Sequence, residues 1–187
     1  MSYDKIERMF MIALLEEEKG YLSVVQKNKN RIYFFTFLAL TLCWVAVIWG
    51  MSLQPADVSS ETSLGFGEWL VETFLTGQMD KIHAMSAEQI AFWHHVLRKC
   101  AHFTEYMILG VLMYMTWTQS LLKYGYKILY SVCTCAAIAC IDETIQLFVP
   151  GRCGKLTDIL LDNSGAIMGV LLGMLTVWFV KKRLRQK

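Results

Sequence analysis

The chain has 187 residues, 55% of them hydrophobic, and only two prolines interrupt the apolar sequence. This apolar content is high for a small soluble domain and favours an integral membrane protein over a soluble helical bundle. The net charge is only +2, so the position of the charges along the chain is more informative than their sum.

Residues 1–31 precede the first long apolar run. Their apolar side chains recur at helical spacing and are followed by a basic stretch, so we expect a cytoplasmic N-terminal segment. An amphipathic helix lying on the inner leaflet and a partly ordered tail are both compatible with this pattern. No signal-peptide cleavage motif follows the first apolar run, which we therefore expect to stay in the membrane.

Four apolar runs are long enough to cross a bilayer, which requires about 20 residues per helix. The first run has no charged residue, whereas the other three contain polar groups. The runs are 32–51, 103–122, 128–149 and 159–180. They predict an all-α integral membrane fold, a bundle of four transmembrane helices. The expected domains are a cytoplasmic segment at 1–31, a transmembrane domain at 32–180 and a basic cytoplasmic tail at 181–187.

One large connection, residues 52–99, separates the first two runs. Its aromatic stretch Leu64–Leu75 is too short to span the bilayer and predicts an amphipathic extracytoplasmic helix at the outer interface. Ser86 then begins another helix, with Gln89 as the reciprocal partner of a capping box. We expect this helix to continue into the second run.

Short loops join the last three runs, which are therefore predicted to be antiparallel neighbours. Gly125 marks the expected turn of the first loop, and Pro150-Gly151 marks the second. With both termini in the cytoplasm, thirteen Lys and Arg residues lie inside and five outside. This asymmetry follows the positive-inside rule and predicts a multi-pass protein of the cell membrane with cytoplasmic N- and C-termini.

The six cysteines do not form a disulfide framework. Four lie within the apolar runs, while Cys100 and Cys153 would lie near the outer face, where free thiols are favoured over a disulfide. No CxxC motif and no Cys/His spacing typical of a zinc site is present in the sequence. The sequence therefore predicts no metal and no cofactor.

Acidic residues occur in three of the four runs, always toward the predicted outer side. A charge in hydrocarbon costs roughly 2.5–3.5 kcal/mol, so such groups must face protein or a wet cavity. Helical geometry, about 100° per residue, places them on stripes. The stripes are Arg98, His102, Glu105, Tyr106 and Leu109; Asp142, Glu143 and Gln146; and Asp158 and Asp162, followed by Gly165, Gly169 and Gly173. We predict that they meet in one outer polar pocket.

Several motifs in this pocket resemble the VanZ-like family. They are Ser52-Leu53-Gln54-Pro55; Arg98-Lys99-Cys100-Ala101-His102-Phe103-Thr104-Glu105-Tyr106; Asp142-Glu143-x-x-Gln146; Phe148-x-Pro150-Gly151-Arg152; and Asp158-x-x-x-Asp162-Asn163-x-Gly165. The matched blocks run from about Arg31 to Val180 in family order. The resemblance implies a small bacterial integral membrane protein of a family whose founding member confers low-level resistance to teicoplanin-type glycopeptides. It supplies no known reaction.

Binding of an anionic amphiphile or lipid-linked precursor is the leading hypothesis, with Arg98 and Arg152 holding the head group. The expected ligand-binding residues are Gln54, Arg98, Lys99, His102, Glu105, Tyr106, Asp142, Glu143, Gln146, Arg152, Asp158, Asp162 and Asn163. The expected partners are the lipid bilayer and a lipid-linked or glycopeptide ligand, with no nucleic acid. The glycine stripe fits a homo-oligomer as well as internal packing.

Three other interpretations stay open. An intramembrane hydrolase or transferase would use Glu143 or Asp142 as general base and His102 or Glu105 as the acid. A proton-coupled carrier would use the acids as a relay, but few polar residues continue toward the inner face. A purely structural cluster would pair Arg98 or Arg152 with the acids as a buried ionic lock. A metal bound by His102 and the neighbouring acids is disfavoured because the pocket offers one histidine.

Overall fold

The structure is a computed structural model that describes residues 3–56, 58, 65, 69, 73 and 86–186. Within that part of the chain all regular structure is helical. The long helices are α1 (Tyr3–Ser52), α2 (Ala87–Thr118), α3 (Tyr124–Gln146) and α4 (Leu156–Leu184). The interfacial helix expected at Leu64–Leu75 lies almost wholly outside the described residues.

Three of these helices contain stretches long and apolar enough to cross a membrane. They are Val24–Ser52 within α1, and the whole of α3 and α4. The predicted second span, 103–122, falls largely in α2, which is not among the three. Because α2 carries His102 and Glu105 close to its apolar half, its sequence alone is not apolar enough to mark it as a span. In the residues that it describes, the structure thus establishes an all-helical fold with three candidate spans.

Helix ends follow the local sequence signals in some places and not in others. Ser86 caps α2 as predicted, because its Oγ accepts a hydrogen bond from the Gln89 backbone N–H at 3.3 Å. In return Gln89 Oε1 accepts from the Ser86 backbone N–H at 3.0 Å. The turn predicted at Gly125 is wrong, since this residue lies in the first helical turn of α3. Gly151 does form a turn, with a φ of 75° that glycine adopts readily.

The central helix of the bundle is α2. It packs most extensively against α4 and also contacts α1 and α3. Apolar side chains from all four helices fill the core, namely Val45, Ile48, Tyr106, Leu109, Met113, Cys135, Ile138, Ala139 and Ala166. A central position surrounds α2 with protein, which is the environment that polar groups on a membrane helix require.

Glycines set the close approach of α2 and α4. A Cβ atom at Gly165 would overlap the carbonyl oxygen of Phe103, and one at Gly169 would overlap that of Met107. Gly110 on α2 is equally close to the Ala166 carbonyl on α4. Small residues spaced four apart permit such backbone contact. From the sequence, the glycine stripe fitted a dimer interface as well as packing within the bundle. In the structure it serves packing within the bundle.

Candidate functional site

Polar side chains gather where α1 and α3 end and α4 begins, beside the middle of α2. We refer to them as the polar cluster. Its members come from all four helices and from the 147–155 loop: Ser52, Arg98, Lys99, His102, Glu105, Tyr106, Asp142, Glu143, Gln146, Arg152, Asp158 and Asp162. All of these residues except Ser52 were expected at a ligand site. The antiparallel order of the helices brings them together.

The innermost part of the cluster is acidic and closed to solvent. Asp142 and Asp162 have no exposed surface, and Glu143 is 5% exposed. Both oxygens of Asp162 lack a hydrogen-bond partner. The charged groups that act on Asp162 most strongly are four other carboxylates, those of Asp142, Glu143, Asp158 and Glu105. Burial of this kind is costly unless the charge is neutralised by a proton or a cation.

Hydrogen bonds hold two of these acids in place. Gln146 Nε2 donates to Asp142 Oδ2 at 3.3 Å and also lies 3.4 Å from Ser52 Oγ, which links α3 to the end of α1. The backbone N–H of Lys155, the N-cap residue of α4, donates to Glu143 Oε2 at 2.8 Å. These contacts fix the carboxyl end of α3 relative to its neighbours.

The outer part of the cluster is cationic. Lys99 forms an ion pair with Asp158, and the two side chains are 25% and 22% exposed. Arg152 Nη2 donates to the Met51 carbonyl at 3.1 Å. Burial, together with the nearby charge of Arg98, lowers the pKa of the Arg152 guanidinium. We refer to Arg98 and Arg152 as the guanidinium pair.

No acid of the described chain forms a direct ion pair with Arg98 or Arg152. Arg152 does attract Asp142, Glu105 and Glu143, but none of them is within ion-pair distance. The buried ionic lock that one interpretation of the sequence predicted is therefore absent from this part of the structure.

His102 lies between the cationic and acidic parts. Its Nδ1 atom is 3.7 Å from Glu105 Oε2, one helical turn along α2. The backbone carbonyl of Glu105 accepts a hydrogen bond from Trp44 Nε1 of α1 at 2.9 Å, which fixes this part of α2. One donor atom each of His102, Asp142 and Asp162 lies within 4.8 Å of the others, a spacing at which they could hold a metal ion.

Two predicted site residues have a different environment. Asn163 donates from Nδ2 to the Ile159 carbonyl of its own helix at 2.8 Å, so its amide is engaged within α4. The Gln54 side-chain oxygen is buried and lacks a hydrogen-bond partner.

All six cysteines are free thiols, and Cys100 and Cys153 are both exposed.

Sequence reasoning missed three contributors to the cluster. Ser52 stands in the first quoted motif but was not expected at the ligand site, and only its contact with Gln146 reveals its place. Trp44 lies in an apolar run where nothing distinguishes it from a lipid-facing aromatic residue. The Lys155 contribution is a backbone N–H, for which side-chain identity gives no signal.

Comparison with known proteins gives one finding. The sequence model of the VanZ/LLP1 family matches residues 37–179, which include most of the bundle and the entire polar cluster. No curated protein and no solved structure matches the chain.

Proposed function

The chain belongs to the VanZ/LLP1 family, and we propose that it binds the anionic head group of an amphiphile or lipid-linked envelope precursor. Binding would take place at the outer surface of a bacterial cell membrane. It would lower the effect of lipophilic glycopeptides of the teicoplanin type, because the founding member of the VanZ-like family confers resistance to them.

The guanidinium pair is the observation that carries this proposal. Arg98 and Arg152 act on each other electrostatically and share no directly paired acid within the described structure. Two like charges near each other repel, and an anion bound between them would relieve that repulsion. Guanidinium groups suit phosphate and carboxylate because they donate two parallel hydrogen bonds. Both side chains are partly exposed, which leaves them accessible to a head group.

The proposal includes a topology. We infer that α2 is a fourth transmembrane helix, since it is the central helix and its polar residues His102, Glu105 and Tyr106 are buried or half-buried. The excess of Lys and Arg at both ends of the chain favours cytoplasmic termini. The polar cluster would then lie near the outer surface, where α1 and α3 end.

An apolar surface near the cluster supports an amphiphilic ligand. A shallow cavity of about 270 Å³ lies on the lipid-facing side of α3, near the same end of the bundle. Its lining residues are Cys140, Ile141, Thr144, Ile145 and Phe148. An acyl chain in this cavity would place its head group near the loop that carries Arg152.

Lipid binding by the purified protein tests the proposal directly. Native mass spectrometry would compare phosphatidylglycerol with phosphatidylcholine, for wild type and for Arg98→Gln and Arg152→Gln. A hydrogen bond to a charged group is worth about 1.5–3 kcal/mol, so each variant should bind phosphatidylglycerol about ten- to a hundredfold more weakly. Arg183→Gln is the matched control, because Arg183 is exposed in the last turn of α4 at the opposite end.

A cellular assay tests the biological part. A teicoplanin-sensitive bacterium producing wild type should tolerate more antibiotic than one producing either pair variant at equal membrane levels. Undiminished protection by both variants would contradict the proposed role of the guanidinium pair. Equal binding of the two lipids by wild type would contradict an anionic ligand.

A second candidate function is an intramembrane hydrolase or transferase acting on an envelope lipid or peptide. The observation in its favour is the contact between a histidine and carboxylates, with His102 beside both Glu105 and Asp142. Such groups can exchange a proton with a bound substrate, with Glu143 or Asp142 as base and His102 or Glu105 as acid. Incubating wild type and Glu143→Gln with lipid extracts tests this second function. If wild type forms no product, this reaction class is excluded.

A further inference from the structure

We propose that His102, Asp142 and Asp162 bind one divalent metal ion at the innermost part of the polar cluster. The three residues come from α2, α3 and α4, and one donor atom from each lies within 4.8 Å of the other two. The sequence alone predicted no metal, so this proposal departs from that expectation.

Asp162 provides the strongest argument for a cation. It has no exposed surface, neither of its oxygens has a hydrogen-bond partner, and its strongest charged neighbours are all carboxylates. A buried carboxylate normally has a positive partner or hydrogen-bond donors. Its position next to Asp142 and His102 indicates that a metal ion supplies the missing positive charge.

The other two residues each have a buried side-chain atom without a hydrogen-bond partner. Gln146 donates to Asp142 Oδ2, while Oδ1 has no hydrogen-bond partner. Glu105 Oε2 lies 3.7 Å from His102 Nδ1. His102 Nδ1 is buried and has no hydrogen-bond partner, so its lone pair is free to bind an ion.

Charge balance points to a divalent ion. The cluster contains five carboxylates, from Glu105, Asp142, Glu143, Asp158 and Asp162, and three cationic side chains, from Arg98, Lys99 and Arg152. With all five carboxylates ionised and His102 neutral, the negative charges exceed the positive ones by two, which one ion of charge +2 would balance. An imidazole with two carboxylates suits Zn²⁺ or Mn²⁺ better than Mg²⁺ or Ca²⁺, which prefer oxygen ligands alone.

The guanidinium pair does not contribute to the metal site. Metal binding can be measured with no anionic lipid present, so either proposal can fail without the other. The metal would lie deeper than the guanidinium pair, because Asp142 and Asp162 are fully buried whereas both arginines are partly exposed.

Metal content of the purified full-length protein tests the inference. The protein would be stripped with a chelator, dialysed against equal concentrations of Zn²⁺, Mn²⁺ and Mg²⁺, and examined by inductively coupled plasma mass spectrometry. We expect about one Zn²⁺ or Mn²⁺ per chain. Asp162→Asn and His102→Gln should each bind at least about tenfold more weakly, since even partners that do not touch the metal have effects of this size. Glu88→Gln, an exposed acid at the start of α2, is the matched control and should bind as wild type does.

Wild type alone also gives a decisive result if the variants do not fold. Co²⁺ added to stripped protein should produce a saturable visible absorption band, which Zn²⁺ should abolish by competition. Absence of the band together with no retained Zn²⁺ or Mn²⁺ would overturn the proposal and leave a proton as the neutralising group. Metal retention by folded Asp162→Asn equal to that of wild type would overturn it as well.

Discussion

Replacing Gly165 with alanine would place a methyl group against the backbone of α2 beside the polar cluster. The added Cβ atom would overlap the Phe103 carbonyl oxygen and lie 3.1 Å from its carbonyl carbon and 3.2 Å from its Cα atom. These are backbone atoms, so no side-chain rotation can relieve the contact. The two helices must separate, and His102, which precedes Phe103, must move away from Asp162.

Two opposing effects set the expected magnitude. Overpacking costs typically about 1–3 kcal/mol, and a rigid backbone obstacle favours the upper end of that range. Alanine is a better helix former than glycine by about 1 kcal/mol, which offsets part of the cost. We therefore expect Gly165→Ala to lower the free energy of unfolding by about 2 kcal/mol. Gly50→Ala should be neutral or stabilising, because nothing lies within 4 Å of a Cβ atom at that position.

Unfolding in mixed detergent micelles, with increasing dodecyl sulfate and helicity followed by circular dichroism, measures both variants. The same preparations can be tested for metal content, which should fall in Gly165→Ala and not in Gly50→Ala. If Gly165→Ala unfolds at the same dodecyl sulfate fraction as wild type, the close approach of α2 and α4 is not as the structure has it. Equal destabilisation by both substitutions would show a general intolerance of alanine in these helices.

Three further predictions concern single contacts. Trp44→Phe removes the indole donor to an α2 carbonyl and should lower stability by about 0.6 kcal/mol, measured in the same micelle titration. Lys99→Gln and Asp158→Asn should show a coupling of about 0.2–1 kcal/mol in a double-mutant cycle, because the pair is partly exposed; a coupling well above that range would contradict this exposure. A membrane-impermeant maleimide should label Cys153 in intact cells but label a Gln186→Cys variant at that added site only after permeabilisation; the reverse pattern would contradict the proposed orientation.

The features that could be predicted from sequence have strong local causes. The uncharged run at 32–51 needs no partner to be recognised as a span, and it lies in α1. The start of α2 could be located because a capping box acts within one turn. The Gly125 prediction failed because a glycine near a helix start does not prevent the helix from continuing. Residues 147–155 form a loop that joins α3 and α4, as the Pro150-Gly151 pair indicated.

The polar cluster shows where sequence reasoning stops. Helical spacing and antiparallel order were enough to bring the stripes to one end of the bundle. They could not predict which side chains pair across helices. Such pairing depends on the rotation of each helix about its axis and on its position along the bundle, to within a few ångströms. Lys99 pairs with Asp158, while Arg98 and Arg152 have no direct acid partner in the described chain. Asn163 follows Asp162 but lies about 100° further round the helix, and its amide binds its own backbone.

The central position of α2 has a consequence for how the protein is made. Under the proposed topology, α2 leaves the ribosome before α3 and α4, so the glycine surface of α4 does not yet exist when α2 reaches the translocon. The His102 and Glu105 side chains of α2 are then in contact with lipid, the translocon wall or an insertase until α4 has been synthesised and inserted. Truncation before Leu156 should therefore leave α2 poorly inserted and open to quality-control proteases.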